Sequence, residues 1–452
     1  MRFRSLTPAA CLLLAAAVPI PAAEPGTDGA SLDPVERRIA DEIAGRAEAA
    51  YALLERLVEI NSGTYNPAGV KAVADVLGER FAALGFEVEW VEPASEVDRG
   101  GHLVARHAAA VEGAPHVLMI GHLDTVFEPG DPFQAFERDG DRARGPGALD
   151  MKGGDVAILL ALEGLAAAGA LDALTVTVYL TGDEEEPGRP LAATRAGLVE
   201  AAKAADVALG FEEGCCLDGE GTGADLAVVA RRSSIPWRLE VDGIHSHSSV
   251  IFSEEVGAGA VFEAARILHG FYDGLAAEEA LTFSVGTLLA GTEIEYDPEG
   301  DRGSVSGKRN VVPARAVAYG GLRALTPEQR AGAQARMREI AADNLPRTSA
   351  TLTFEEGYPP MPPTEGNRRL LALYDRVSRD LGLGPVEAFP PAERGAADVS
   401  FAAPHAGAAL GGLGPVGEGA HTPREWVSLP TIIRSAQRAA LLLHRVAAGE
   451  GR

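Results

Sequence analysis

The sequence predicts an α/β fold with a mainly parallel sheet, interrupted by a smaller inserted α+β segment. Three observations carry this expectation. Short apolar strands alternate with stretches of helical length through the first half of the chain, the order that lays helices over a parallel sheet. Near Arg232 the texture changes to strands that alternate apolar and polar residues, as half-exposed antiparallel strands do. The chain has 452 residues, more than one hydrophobic core accommodates, so more than one compact unit is expected.

Taken in order, a polar stretch over 24–31 precedes a helical pattern over 33–60. A helix over 70–84, strands over 86–91 and 116–120, a helix over 154–168 and strands over 174–180 and 207–211 follow. The second texture gives strands over 237–241, 282–289 and 317–324 and helices over 257–271 and 326–342. Prolines over 359–363 mark a boundary, helix resumes over 368–381, and a last helix over 429–446 closes the chain. The expected division is 1–23 as a removable leader, 24–231 and 351–452 as the two parts of one main domain, and 232–350 as the insertion.

The leader is inferred from Arg2 and Arg4, the apolar run 9–20 and the small residues of 21–23, the order of a secretory signal peptide. That run is shorter than the roughly 20 residues a membrane helix needs. Export is therefore expected, to the periplasm in a Gram-negative host. Cys11 leaves with the leader, or is a lipidation site. Cys215 and Cys216 remain, and neighbours in sequence rarely form a relaxed disulfide, so no disulfide framework is expected. No other segment is apolar enough to span a bilayer, and no membrane partner is expected of the mature chain. With 40 Lys and Arg against 65 Asp and Glu the net charge is −25, which argues against nucleic acid or anionic lipid as partner. The surplus acids are a solvated surface, except where some of them hold metal cations.

Four acid- and histidine-bearing segments follow predicted strands or tight glycine turns. GHLDTVF carries His122 and Asp124 two residues apart, so a carboxylate can accept the second ring N–H of a metal-bound imidazole. GPGALDMKGG bends around Asp150. TGDEEEPG places Asp183, Glu184, Glu185 and Glu186 after a strand, and GFEEG places Glu212 and Glu213 after another. Loops at the carboxyl ends of parallel strands are where α/β sheets bind ligands. Oxygen and imidazole donors suit hard or borderline divalent metals, and two ions need a carboxylate able to bridge them. Each motif alone reads equally well as a solvated turn; their combination is specific.

With these motifs in this order the sequence resembles the co-catalytic zinc exopeptidases, a family that includes bacterial glutamate carboxypeptidase, acetylornithine deacetylase, succinyl-diaminopimelate desuccinylase and aminoacylase. The likeness runs from LVEINSGTYNPAGV to GLGPVGEGAHTPREWV. It implies a catalytic domain of zinc-exopeptidase type with an inserted lid or dimerisation domain, and two zinc ions, with cobalt or manganese as alternatives. By position it makes His122 and Glu212 ligands of one ion, Asp150 the bridging carboxylate, and Glu185 and His421 ligands of the other. Asp124 becomes the acid supporting His122, and Glu184 the general base. Three consecutive glutamates leave a register of Glu185 and Glu186 open. In the insertion, His247 matches a histidine reaching substrate across a dimer interface, and Asn310 and Arg323 match residues holding a substrate carboxylate, an assignment that suits a bidentate guanidinium. His245 is extra.

Two departures bear on substrate. Gly321 stands where relatives often have Asp, and RGAADVSF, with Asp398, replaces the usual Gly-Gly-x-Asp. The expected activity is cleavage of an amide next to a free carboxylate, as by a carboxypeptidase releasing glutamate or a similar amino acid from a small peptide. Deacylation of an N-acyl amino acid, or dipeptide hydrolysis, would use the same residues. A non-catalytic binding protein on this scaffold would have lost the base or a ligand. A homodimer through the insertion is expected.

Overall fold

A computed structural model describes residues 32–93, 97–216, 225–297 and 302–451; the expected leader, Cys11 and the stretch 24–31 lie outside them. Helix α1 (Pro34–Ala44) starts on a capping box: Asp33 Oδ1 accepts the amides of Val35 and Glu36, and Glu36 Oε2 accepts that of Asp33. The single helix expected over 33–60 is two, because the chain breaks at Gly45 and Arg46 before α2 (Ala47–Val58); glycine is a weak helix former and here ends one element. Helix α3 (Pro67–Ala83) begins earlier than periodicity indicates, since Asn66 caps it and Pro67 occupies the first turn, where its missing N–H costs nothing.

The main sheet has strands β1 (Glu87–Val91), β2 (His102–His107), β3 (His116–His122), β4 (Thr175–Thr181) and β5 (Val207–Gly210), with the short strand Ala408–Leu410 at its far edge. The order is β1-β2-β4-β3-β5 and then Ala408–Leu410. The three pairings from β4 through β3 and β5 to Ala408–Leu410 are parallel, whereas β1 and β2 run antiparallel at the other edge. β2 escapes sequence detection because HLVARH has polar ends and an apolar centre too short to show a period. Central strand β3 is apolar from Val117 to Ile120 for a physical reason: Val117 and Met119 enter the core under α1 and α4 (Lys152–Ala168), while Leu118 and Ile120 enter the core of the opposite face. The helices approach closely, since a Cβ at Gly164 of α4 would lie 2.4 Å from the Ile43 side chain of α1.

The second sheet is antiparallel, with β6 (Ile235–Asp242) and β8 (Arg315–Arg323) inside and β7 (Thr282–Gly291) and β9 (Ser349–Phe354) at the edges. β6 alternates buried and half-buried residues. Its inward face carries Trp237, which meets Phe271 of α5 (Ala260–Leu275) edge-to-face at 5.8 Å; such a pair adds about 1 kcal/mol to its burial. Helix α6 (Pro327–Ala342), capped by Thr326, completes this layer. β9 pairs with β6 from Ser349 to Phe354, so the second sheet ends beyond residue 350, the limit expected from sequence. The segments that lead into and out of the second sheet run side by side, at the bridges Arg231 with Met361 and Ser234 with Tyr358. Helices α7 (Glu365–Asp380) and α8 (Leu429–Ala447) then pack back into the main core.

Candidate metal centre

Parallel pairing aligns the carboxyl ends of β3, β4 and β5, and the loops leaving them carry the acids and histidine singled out in the sequence. His122 ends β3, opposite Thr181 at the end of β4, and Ile120 of β3 pairs with Gly210 at the end of β5. The turn bearing Asp150 joins them because Gly154, just inside α4, lies against the loop after β5. A Cβ there would stand 2.2 Å from the Phe211 carbonyl oxygen. The Asp150–Met151 peptide is cis, and Gly147 has φ +73°. His421 comes from the far end of the chain and also has a positive φ, +61°, uncommon for a residue with a Cβ.

Two ligand triads result, His122 with Asp150 and Glu212, and Asp150 with Glu185 and His421, the donor atoms of each lying within 4.8 Å of one another. Asp150 belongs to both. Its Oδ1 lies 3.2 Å from His122 Nε2, and its Oδ2 lies 3.0 Å from His421 Nε2. Glu212 Oε1 stands 3.7 Å from the same His122 nitrogen, and Glu185 Oε2 stands 3.1 Å from His421 Nε2. Glu185 Oε1 is buried with no hydrogen-bond partner among the described residues. One shared carboxylate, one imidazole and one further carboxylate per triad, plus a buried orphan oxygen, fit a pair of divalent cations.

Charge crowding shifts every group. For His122, burial pulls the pKa down, but hydrogen bonds to Asp124 and Asp150 outweigh it and raise it well above the ordinary value. Hydrogen bonds to Asp150 and then Glu185 push His421 up to about 11. Burial would raise Asp150, yet the two histidines hold it far below the usual carboxylate range. Burial raises Glu212 to about 8, and burial followed by the charge of Glu212 lifts Glu184 well above its ordinary value. Metal ligands must bind deprotonated, so two divalent cations would displace the histidine protons and draw these carboxyls down together.

Asp124 is fully buried and faces both the ring of His122 and the loop after β4. The nearest acceptor to His122 Nδ1 is the Asp124 main-chain carbonyl at 3.1 Å, with carboxylate Oδ1 at 3.4 Å. The carboxylate also accepts the amides of Glu184 at 3.0 Å and Glu185 at 3.1 Å and the Thr64 hydroxyl at 2.6 Å. It thus locks the loop carrying Glu184 and Glu185 to the loop carrying His122. Asp183 is held from the other side by Arg195, which also pairs with Asp398. Tyr358 donates to the Glu184 carbonyl at 2.9 Å, and Glu425 Oε1 accepts the amides of Leu149 and Asp150 at 2.8 and 3.2 Å.

Sequence reasoning overlooked Thr64, Arg195, Arg231, Tyr358, Arg394 and Glu425. Thr64, Glu425 and Arg394 had a signal, lying inside the quoted segments LVEINSGTYNPAGV, HTPREWV and RGAADVSF. Asp150, Glu184, Glu185, Glu212, Glu213, Arg231, Arg394 and His421 line a cleft of ≈ 200 Å³. A larger hollow of ≈ 490 Å³, beside Arg142, Trp426 and Arg438, contains none of the triad residues, so size does not mark the reactive cleft.

The three residues expected to bind substrate from the insertion are not among those lining the cleft. His247 and Asn310 come together with each other, Nε2 and Nδ2 3.4 Å apart, on the exposed ladder of Ser246–His247 with Val311–Val312. Arg323 ends β8, near Arg232.

Comparison with known proteins agrees with this geometry. Peptidase family M20/M25/M40 matches residues 118–445. Carboxypeptidase G2 of Pseudomonas sp. (strain RS-16) is 28% identical over 407 residues, covering 88% of this chain and 89% of that protein. A succinyl-diaminopimelate desuccinylase of Xanthomonas campestris pv. campestris (strain B100) is 30% identical over 409 residues, covering 84% and 95%. Among solved structures, aminopeptidase PepT from Bacillus cereus superposes with a TM-score of 0.68 at 18% identity, covering 91% of this chain and 99% of the other. The Bacillus subtilis YXEP protein, a dinuclear metal-binding peptidase, superposes at 0.60 and 15% identity, covering 90% and 99%. The described fold, the paired triads and a family match across most of the length lead to one conclusion: the chain belongs to peptidase family M20/M25/M40.

Proposed function

We propose that this hydrolase of amide or peptide bonds acts as a dizinc carboxypeptidase, cleaving the amide next to a free carboxylate and releasing a C-terminal amino acid such as glutamate. The observation that carries the reading is Asp150 shared between two ligand triads with Glu184 beside them in one cleft. When bound, two divalent cations supply Lewis acidity to the scissile carbonyl and make a water nucleophilic near neutral pH. His122 and Glu212 would hold one, Glu185 and His421 the other, and Asp150 both. Glu184 takes the proton of the attacking water and passes it to the leaving nitrogen. Its main chain is fixed at the amide by Asp124 and at the carbonyl by Tyr358, so the carboxylate is presented without a search through backbone conformations.

Relatives named succinyl-diaminopimelate desuccinylase support a second reading with the same residues, deacylation of an N-acyl amino acid. A panel of N-acyl amino acids, dipeptides and longer peptides with varied terminal residues, assayed after chelation and again with zinc restored, separates them. No hydrolysis by the zinc-loaded protein of any panel member would falsify the function.

We further propose export and a homodimer through the second sheet. Support for export is the leader pattern alone; among the described residues no helix is long and apolar enough to cross a membrane. The dimer is supported by apolar side chains exposed on this segment, Phe252 at 67%, Phe262 at 53%, Tyr272 at 66% and Leu288 at 50%, with β7 an edge strand of its sheet. His247 and Asn310, exposed and 3.4 Å apart at Nε2 and Nδ2, would then serve a neighbouring cleft. Sedimentation of the loaded protein checks this: a fully active monomer sinks it.

A further inference from the structure

We propose that Arg231 recognises the substrate's carboxylate inside the metal cleft, as a specificity-determining residue separate from Arg323. The inference rests on the hydrolytic reading above and deepens it. Arg231 is 2% exposed and lines the cleft with Asp150, Glu184, Glu212 and His421. Its Nη1 donates to the Gly395 carbonyl at 2.8 Å. Nε and Nη2 are buried and have no hydrogen-bond partner among the described residues. Those two nitrogens form the side edge of the guanidinium, whose parallel N–H groups match the two oxygens of a carboxylate.

Buried arginines are normally paired, as two others in this chain are. Arg195, equally buried, is held between Asp183 and Asp398. Arg394, beside Arg231 in the cleft, spends its contacts on Glu213, with Nη1 2.5 Å from Oε1 and Nη2 on the main-chain oxygen. Glu213 therefore serves Arg394, while Glu184 and Glu212 are committed to proton transfer and metal. Arg231 is left with a full charge and an open bidentate edge. Its backbone is anchored, because its amide and carbonyl are both bonded to Met361 at 2.9 Å in an isolated antiparallel bridge. Because Arg231 lines the same small cleft as Asp150, Glu212 and His421, a carboxylate a few bonds from the carbonyl attacked at the metals suits it, as the α-carboxylate of a released amino acid does.

The test uses the zinc-loaded full chain, the panel's best-cleaved compound and the same compound with its α-carboxylate converted to a carboxamide. The wild type is expected to prefer the carboxylate by about 10- to 100-fold in kcat/KM, the range of a charge-assisted hydrogen-bonded pair. Arg231→Ala, retaining two metals, is expected to lose that preference through a raised KM for the carboxylate with little change for the carboxamide, and Arg231→Lys to restore part of it. Ala396→Asp, on the half-exposed lip next to Gly395, puts a competing carboxylate beside the guanidinium; it is expected to erase the preference too, and decides the matter should Arg231→Ala not fold. Folded variants that keep the full preference, a wild type without one, or a preference abolished only by Arg323→Ala each overturn the assignment of Arg231 and leave the hydrolytic function standing. A wild type that cleaves nothing removes both.

Discussion

Arg195 and Asp398, 203 positions apart in the chain, form a buried ion pair with Nε 2.8 Å from Oδ1, and the same guanidinium reaches Asp183 Oδ1 at 2.6 Å. Thr181 donates to the second Asp398 oxygen at 2.6 Å. The pair therefore clamps both ends of the turn from Thr181 to Asp183, immediately before Glu184 and Glu185. Asp398 belongs to the altered segment RGAADVSF, so the departure in sequence preserves the carboxylate that matters structurally.

Removing one member of this trio strands a buried charge. Arg195→Met is expected to destabilise the fold by about 3–5 kcal/mol, the usual cost of breaking a buried pair. Denaturant melts at constant metal concentration measure it. A loss below 1 kcal/mol would show the clamp to be dispensable.

Glu184→Gln keeps shape and backbone bonds but removes the proton acceptor. The variant should bind two metals and lose about 10²- to 10⁴-fold in kcat, the range for general-base groups. Near-normal turnover would shift the role to Glu185, with Glu186 as the ligand, the alternative register of the three consecutive glutamates.

Asp150→Asn leaves one good donor oxygen where two are needed, since Oδ1 and Oδ2 face different histidines. Metal content after dialysis against buffered zinc should fall from two per chain to one or none. Retention of two ions at wild-type affinity would contradict the bridging assignment.

His102 provides a pH dependence away from the metals. Its Nδ1 accepts the Gly182 amide at 3.2 Å, so Nε2 carries the proton and donates to the Thr194 carbonyl at 3.1 Å. Burial, followed by the charge of Arg195, lowers its pKa from 6.5 to about 4. Between those values the unfolded chain binds a proton that the folded chain refuses, so stability rises with pH across this window and is lost as pH falls from 6.5 to about 4. The full loss is about 3 kcal/mol at 1.36 kcal/mol per pKa unit. The stability difference between wild type and His102→Gln, measured by denaturant at pH 7 and pH 4, should shrink by that amount; a difference independent of pH excludes the mechanism.

By itself the sequence determined the strand-and-helix order, the change of texture near Arg232 and, through the resemblance, the five residues that the fold gathers into two triads. Those features are local: an apolar strand followed by HLD, DEEE or EEG announces itself within a few residues. Elements governed by distant pairing were not legible, notably β2, β9 and the strand Ala408–Leu410, which are short and stabilised by neighbours far along the chain. Tertiary structure alone decided that Asp124 serves the amides of Glu184 and Glu185 as well as the ring of His122, and that Arg195 bridges Asp183 and Asp398. It alone left Arg231 buried with an open edge. A lone arginine in sequence carries no sign of whether a carboxylate will meet it, because that depends on which chain segments burial brings within hydrogen-bond distance.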